Sequence, residues 1–211
     1  MIKKFEFNKE RGFNFDKLGK YPIFEDTIKQ RGWEGIENMI TEESNESIAC
    51  EFLANAIVKK EGDIHAYVRG NEVDYSKRAI NRVLGLREVE NCDVEFRKKA
   101  YKEIRGRAHW ESLLEGLIKK GKGWVGTIER PNRINTVDLL PKYKAWASFI
   151  LTVIDQTSST KEMIRERVII LLSLVSDEDI DVGGLMCKSL KKLMRTDKQT
   201  LGHCCLINKL C

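Results

Sequence analysis

Apolar residues recur at three- and four-residue steps along most of this chain, and that spacing predicts helices. The clearest stripe is formed by Ile48, Phe52 and Ala56, which would lie on one side of an amphipathic helix. Similar stripes predict further helices from about residue 22, from 33 to 40, from 92 to 120, from 138 to about 154, from 160, from 182 and from about 202.

One segment departs from this period. Ile64, Ala66 and Val68 alternate with polar residues, and the alternation resumes after Gly70. This pattern predicts a β-hairpin near residues 64–75, with the turn at Gly70. Ser76 then suits the N-cap of a short helix that Gly85 ends. The expected fold class is therefore mainly α, a multi-helix globular domain with one small β-hairpin.

No internal repeat or low-complexity tract divides the 211 residues, so we expect a single domain over 1–211. Residues 1–25 alternate aromatic and polar positions and predict an extended arm; its rings are Phe5, Phe7, Phe13, Phe15, Tyr21 and Phe24. The last predicted helix is still apolar at Cys211, which suggests a truncated domain or a longer parent chain.

Composition narrows the class of protein. The longest apolar run, residues 168–175, is far short of the ~18 residues that a membrane span requires, and the N-terminus lacks the apolar run of a signal peptide. The six cysteines form no CxxC pair and no zinc-ribbon spacing. We therefore expect reduced thiols, no membrane association, and a nuclear or cytoplasmic protein.

The net charge of +5 is modest, but cations cluster between residues 97 and 122. Such a face can attract phosphate backbones, and Trp124 beside it could stack on a base. The alternative is a solvated helix face with Trp124 in the core. The candidate nucleic-acid-binding residues are Lys98, Lys99, Lys102, Arg105, Arg107, Lys119, Lys120, Lys122 and Trp124.

No segment has the residue spacing of a known catalytic or metal-binding motif. Gly121-Lys122-Gly123 lacks the GxxxxGK[ST] pattern of a phosphate loop, and the acidic run 177–181 lacks the spread ligands of an EF-hand. Cys204 and Cys205 are adjacent, so on a helix they point about 100° apart and suit buried thiols better than one metal. His65 and His109 have no triad motif around them. We expect no enzyme, no metal and no cofactor.

Several short blocks, in order, resemble a plant family, the putative plant transposon protein domain of retrotransposon-related reading frames. The blocks are Glu10-Arg11, Gly32-Trp33, 51–56 (EFLANA, where the family has an EFYAN-like block), 68–76 (VRGNEVDYS, like VRG-x-x-VDFS), 80–86 (INRVLGL, like IN-x-x-LGL), Trp110, 138–141 with Trp146, 180–183 and 206–211 (LINKLC, like LIT-x-LC). Leu53 departs from the family, where Tyr is usual, and residues 121–132 look rearranged.

The resemblance implies an origin in a mobile element, but it carries no catalytic residues, because the family has none established. Its motif residues here are Asn55, Arg69, Gly70, Asp74, Ser76, Asn81 and Gly85. Structural roles account for several of them: a turn at Gly70, a cap at Ser76, and a helix-to-hairpin hydrogen bond from Asn81.

Three hypotheses about function follow. The first is a non-enzymatic binding or assembly module that contacts a protein partner or a second copy through its apolar C-terminal helix. The second is a nucleic-acid-binding domain that uses the basic 97–122 face. The third, a degenerate transposase or nuclease-like enzyme, requires clustered carboxylates.

Overall fold

The computed structural model describes residues 6–7, 10, 23–56, 64–103, 107–126, 131–195 and 200–211. The chain divides into two compact units. Unit 1 comprises residues 1–88, 152–158 and 182–211, and unit 2 comprises residues 89–151 and 159–181. Unit 2 is thus an insertion in the sequence of unit 1. The prediction of a single domain stays a prediction.

Helices dominate the described residues, which confirms the mainly α prediction. In chain order they are α1 (Ile23–Arg31), α2 (Glu34–Thr41), α3 (Glu46–Asn55), α4 (Lys77–Leu84), α5 (Asp93–Glu103), α6 (Arg107–Ser112), a 3-10 turn (Thr136–Asp138), α7 (Pro141–Phe149), a π-helical turn (Ile150–Ile154), α8 (Arg165–Val175), α9 (Val182–Met194) and α10 (Cys204–Leu210). Within these residues no helix has the length and apolar character needed to cross a bilayer.

The strands are short and form three small sheets among the described residues. They are β1 (Glu6–Phe7), β2 (His65–Val68), β3 (Asn71–Asp74), β4 (Val125–Gly126), β5 (Pro131–Asn135), β6 (Glu162–Ile164) and β7 (Thr200–Leu201). β2 pairs antiparallel with β3, and β4, β5 and β6 form an antiparallel sheet in that order. β1 pairs parallel with β7.

The hairpin is confirmed at the predicted place. β2 and β3 are joined by Arg69 (φ 50°) and Gly70 (φ 82°), and positive φ at both central residues is the backbone of the type I′ turn that suits the strand twist. Ser76 caps α4 by accepting a 3.1 Å hydrogen bond from the Ala79 amide, and Gly85 ends it in the left-handed conformation. Both predicted caps are confirmed.

The core of unit 1 surrounds the last helix. α10 packs against α2, α3 and α4, and α9 packs against α4. Leu206 and Ile207 are fully buried there. The apolar side of the C-terminal helix therefore lies in the core of unit 1. It packs against helices more than 120 residues earlier in the chain, so a sequence pattern alone does not show that it is covered. The stripe therefore does not offer the open apolar side expected from the sequence, while the interaction with a protein partner stays a prediction.

Unit 2 contains the sheet that the helical pattern did not predict. The segment 121–132, which looks rearranged relative to the family, contributes β4 and the start of β5, while residues 127–130 lie outside the described part. The helix predicted from Thr160 begins only at Arg165, since β6 precedes it. Asp138 belongs to the 3-10 turn and does not cap α7, which starts at Pro141 after Leu140. The fixed φ of proline suits that first helical position.

The aromatic arm is only partly described. Phe5, Phe13, Phe15 and Tyr21 lie outside the described residues, while Glu6 and Phe7 form β1. Phe24 already belongs to α1 and is buried.

Candidate functional site

The candidate site is the exposed side of α5 in unit 2. Val94 is fully buried on one side of this helix, whereas Phe96 is 73% exposed on the other. Asp93, Lys99 and Ala100 lie three or four residues from Phe96 and therefore share its side of the helix. Among the described residues Phe96 is the most exposed large hydrophobic side chain; the others are Val137 (61%), Tyr67 (45%) and Val175 (39%).

The charges of α5 are segregated along its length. Asp93 and Glu95 occupy the first turn, and Lys98 and Lys99 follow Phe96 toward the C-terminal end. This order complements the helix macrodipole, which favours anions near the N-terminus and cations near the C-terminus. The exposed aromatic ring thus lies between the acidic first turn and the cations that follow it, while the last residue of the helix, Glu103, is again acidic.

Arg97 fixes α5 to the loop after α8. Its guanidinium Nε donates to both carboxylate oxygens of Glu178, at 2.9 and 2.7 Å, and its Nη1 donates to the Tyr101 hydroxyl at 2.9 Å. Burial alone would raise the pKa of Glu178, but the hydrogen bonds from Arg97 and Ser173, together with the charge of Arg97, hold that pKa below its usual value. Arg97 is therefore committed to an internal ion pair and contributes little free charge to the basic face.

The acidic run 177–181 docks onto the start of the same helix. The Asp93 amide donates to the Asp179 carbonyl at 3.0 Å, and the Asp179 amide donates to the Asp93 carboxylate at 2.8 Å. The Asp181 amide lies 3.4 Å from the Cys92 sulfur. This segment and α5 form one rigid surface in which Asp93 is held in place. Within the described residues, no group of three or more His, Cys, Asp or Glu is arranged to hold a metal ion.

A cleft of about 280 Å³ lies between α5 and the start of α8. The Arg165 guanidinium lies 5.0 Å from the centre of the Trp110 ring, and Tyr101 meets that ring edge-on at 5.6 Å. The lining residues are Glu95, Lys98, Lys99, Tyr101, Arg165, Glu166 and Ile169. Arg165 was not predicted from the sequence, because no local motif links it to the basic segment 97–122, which ends more than 40 residues earlier.

Among the described residues, two of the basic residues predicted to bind nucleic acid contact other groups of the protein. Lys98 pairs with Glu95 at 3.1 Å, and Lys119 donates to the Val137 carbonyl at 2.9 Å. Lys99, Lys120 and Lys122 are exposed. Arg105 lies outside the described residues, as do the side chains of Lys102 and Arg107. Unit 2 as a whole carries sixteen Lys or Arg against fourteen Asp or Glu, so its balance is close to neutral.

Trp124 is part of the core of unit 2. It is 6% exposed, its indole N–H donates to the Trp110 carbonyl, and it meets the Trp110 ring edge-on at 5.7 Å. A buried ring has no open face on which a base can stack. The core interpretation of Trp124 is the one that the structure supports.

The family-motif residues lie in unit 1 around the hairpin. The Asn55 amide donates to the Tyr67 carbonyl at 2.9 Å, so it covers the outer edge of β2. The Arg69 amide donates to Glu51 at 2.6 Å, and the Asp74 carboxylate accepts from the Ser76 amide at 2.7 Å. These contacts hold the hairpin against α3 and start α4. Their roles are structural.

Asn81 differs from the prediction. Its side chain is 4% exposed, and among the described residues neither of its polar side-chain atoms has a hydrogen-bond partner. The predicted hydrogen bond to the hairpin is therefore wrong. Asn81 lies instead against Gly183 of α9, so close that a Cβ added to this glycine would be 1.9 Å from the Asn81 oxygen.

A second polar group missed in the sequence is buried in unit 1. The His203 Nε2 lies 2.8 Å from the Ser189 hydroxyl, and the His203 amide donates to the Gln156 side chain. Burial lowers the pKa of His203 to about 4, so the ring is neutral near pH 7. His203 is 0% exposed and Ser189 2% exposed, which leaves a substrate no access to the pair. The pair was missed because its members are distant in sequence.

The thiols of the C-terminal region have different environments. Cys204 is buried as expected, whereas Cys205 is only partly buried; Cys187 is buried and Cys211 is exposed. Burial and the neighbouring Glu10 raise the pKa of Cys205 to about 12. Glu10 itself is 8% exposed and accepts hydrogen bonds from the Cys205 and Leu206 amides at 2.8 and 3.3 Å.

Comparison with known proteins gives one match. No curated protein and no solved structure matches the chain. A protein-family model for a putative plant retrotransposon-related domain matches residues 29–211, which cover the hairpin motifs, α5 and the C-terminal helix. The chain therefore belongs to the family of the putative plant retrotransposon-related domain.

Proposed function

We propose that this chain is a non-enzymatic protein-interaction module of retrotransposon origin, and that the exposed side of α5 is its docking surface. The observation that carries the proposal is Phe96, a phenylalanine 73% exposed on a helix whose opposite side is buried. Burying a Phe side chain stabilises a protein by about 1.5 to 3 kcal/mol, and here that contribution is left for a partner.

The surroundings of Phe96 resemble a typical interface centre. Its chain neighbour Arg97 reaches the Ser176 hydroxyl at 3.4 Å, and Val175, 39% exposed, precedes that serine. An exposed aromatic anchor with charged residues around it is the arrangement in which a few residues supply most of the binding energy.

The docking surface is also rigid. α5 packs against α8, and Arg97 pairs with Glu178 in the loop that follows α8. A preorganised helix loses little conformational entropy on binding, so more of the gain from burying Phe96 is available for affinity.

Photo-crosslinking tests the proposal. Benzoylphenylalanine is placed at position 96 of the full chain, which is irradiated in a plant cell extract. We expect a discrete adduct that is removed by proteases and not by nucleases. Mass spectrometry identifies the crosslinked partner. The yield of the adduct should fall when Lys99→Asp is added. The same photoreactive residue at exposed Val137 is the control. Equal, unselective labelling at both positions would refute the proposal.

The second candidate is nucleic-acid binding. Lys119, Lys120 and Lys122 line a cleft of about 330 Å³ in unit 2, although Glu111 and Glu115 line it too. Binding through these lysines should fall steeply with salt, since each phosphate contact releases a counterion. Fluorescence anisotropy with single- and double-stranded probes in low salt measures it, and charge reversal at Lys120 and Lys122 should abolish it. Unchanged probe anisotropy at high protein concentration would exclude this role.

A further inference from the structure

We propose that the docking surface of α5 binds a second copy of this chain, with the two α5 helices antiparallel and the two Phe96 rings at the two-fold axis. This inference rests on the proposed interaction function and names its partner. It follows from the position of the charges on either side of Phe96.

Asp93 and Lys99 lie three residues before and three residues after Phe96. At 1.5 Å per residue, each is about 4.5 Å from Phe96 along the helix axis, in opposite directions. A two-fold axis through Phe96 in an antiparallel pair therefore places Lys99 of one copy opposite Asp93 of the other. The symmetry repeats this contact, so one helix surface is complementary to itself.

Orientation is decided by the same charges. In a parallel pair Lys99 would face Lys99 and Asp93 would face Asp93, which is repulsive at both ends. Exposed charge pairs contribute little affinity, so their main effect is to select the antiparallel arrangement, while burial of the two rings supplies most of the attraction.

The local shape fits this arrangement. Ala100 is exposed one turn after Phe96, and its small side chain leaves room for the ring of the second copy. Asp93 is held by the 2.8 Å hydrogen bond from the Asp179 amide, so its carboxylate is already positioned. Because a single helix side makes a small interface, the dimer should be weak and in rapid exchange.

Charge-swapped variants of the full chain test the pairing. Asp93→Lys and Lys99→Asp each turn both opposed pairs into like-charge pairs, so either variant alone should self-associate at least roughly tenfold more weakly than the wild type. Mixed together they should associate again, since every Lys would then face an Asp in the mixed dimer. Sedimentation velocity from low to high micromolar concentration measures this, and circular dichroism checks the fold of each variant.

The controls separate this inference from the proposed function. Restored association in the mixture supports antiparallel pairing, whereas a mixture no more associated than its components overturns it. A wild-type chain that stays monomeric throughout also overturns it. If that monomer still gives the specific protein adduct at position 96, the interaction function stands with a different partner; if it gives none, both proposals fail.

Discussion

Unit 1 and unit 2 differ in where their unusual side chains lie, since those of unit 1 are buried and that of unit 2 is exposed. Unit 1 buries polar groups, with His203 at 0% and Asn81 at 4% exposure. Unit 2 leaves an aromatic ring, Phe96, 73% exposed. A buried polar side chain lowers stability unless the groups around it are correctly placed, whereas an exposed apolar side chain contributes little to the stability of the fold. Changes in unit 1 should therefore alter stability, and changes on α5 should alter association.

The family motifs follow the same division. Asn55, Asp74 and Ser76 hold the hairpin and the start of α4 in unit 1, while the α5 residues of the docking surface belong to none of those motifs. These three motif residues thus report how unit 1 folds. The chemistry of binding has to be sought elsewhere.

The largest effect is expected from Gly35→Ala. A Cβ at position 35 would lie 2.0 Å from the Leu84 carbonyl oxygen, a backbone atom that cannot rotate away. We expect the free energy of unfolding to fall by about 3 kcal/mol or more, which exceeds the ~1 kcal/mol that alanine gains in a helix. Gly123→Ala in unit 2 is the control, since no atom lies within 4 Å of its Cβ. Equal denaturant midpoints for the two variants would contradict the close contact.

The next effect is a pH dependence from His203. Its pKa is about 4 in the folded chain against 6.5 for the ordinary group, so below pH 6.5 the unfolded chain takes up a proton that the folded chain refuses. Stability should fall by about 3 kcal/mol as the pH drops from 6.5 to 4 and should not change on this account above 6.5.

His203→Asn isolates that contribution. Asparagine tolerates the positive φ of 59° at this position and does not titrate. Burial raises the pKa of Glu10, so the contribution of this group to stability increases as the pH falls, opposite to that of His203. Glu10 is present in both the wild type and the variant, so its contribution cancels in their difference. The measurement is the difference between the two curves of unfolding free energy against pH. Parallel curves would show that His203 is not the titrating group.

Arg97→Ala should have an intermediate effect. It removes the contacts to Glu178 and Tyr101 from a half-buried site and leaves the Glu178 carboxylate without its main partner. A loss of about 1 to 2 kcal/mol is expected. The cycle with Glu178→Gln gives the coupling energy between the two residues. If the losses of unfolding free energy in the two single variants simply add in the double variant, the pair does not hold α5 to the loop after α8.

The smallest effect on stability is expected from Phe96→Ser. Because the ring is 73% exposed, the free energy of unfolding should change by less than about 0.5 kcal/mol, while self-association should be lost. Thermal melting beside sedimentation velocity gives both numbers. A large drop in melting temperature would show that the ring supports the fold, and the contrast between the two units would then disappear.

Local patterns predicted the local structure well. The alternation around Gly70, the cap at Ser76 and the end at Gly85 are decided by residues within a few positions of each other. The helical stripes of α3, α7 and α9 have the same origin. The sheet of unit 2 was missed because β4 and β6 are two and three residues long, too short for a period to show.

The candidate site depended on contacts between distant residues. The pairing of Arg97 with Glu178 and of Ser189 with His203, and the position of Arg165 over Trp110, connect segments that no local motif relates. Trp124 shows the converse, since its neighbours in sequence are cationic but its neighbours in space are apolar. The basic segment was visible in the sequence, yet its neutralisation by acidic residues was not.

The insertion of unit 2 into unit 1 has a consequence for synthesis on the ribosome. Domains generally fold as units, with earlier segments folding first as the chain emerges. All of unit 2 has been made by residue 181, whereas unit 1 still lacks α9 and α10, which fill its core. We expect unit 2 to mature first. The nascent α2, α3 and α4 then expose the apolar surfaces that α10 will cover, and they need protection from aggregation until α10 has been made.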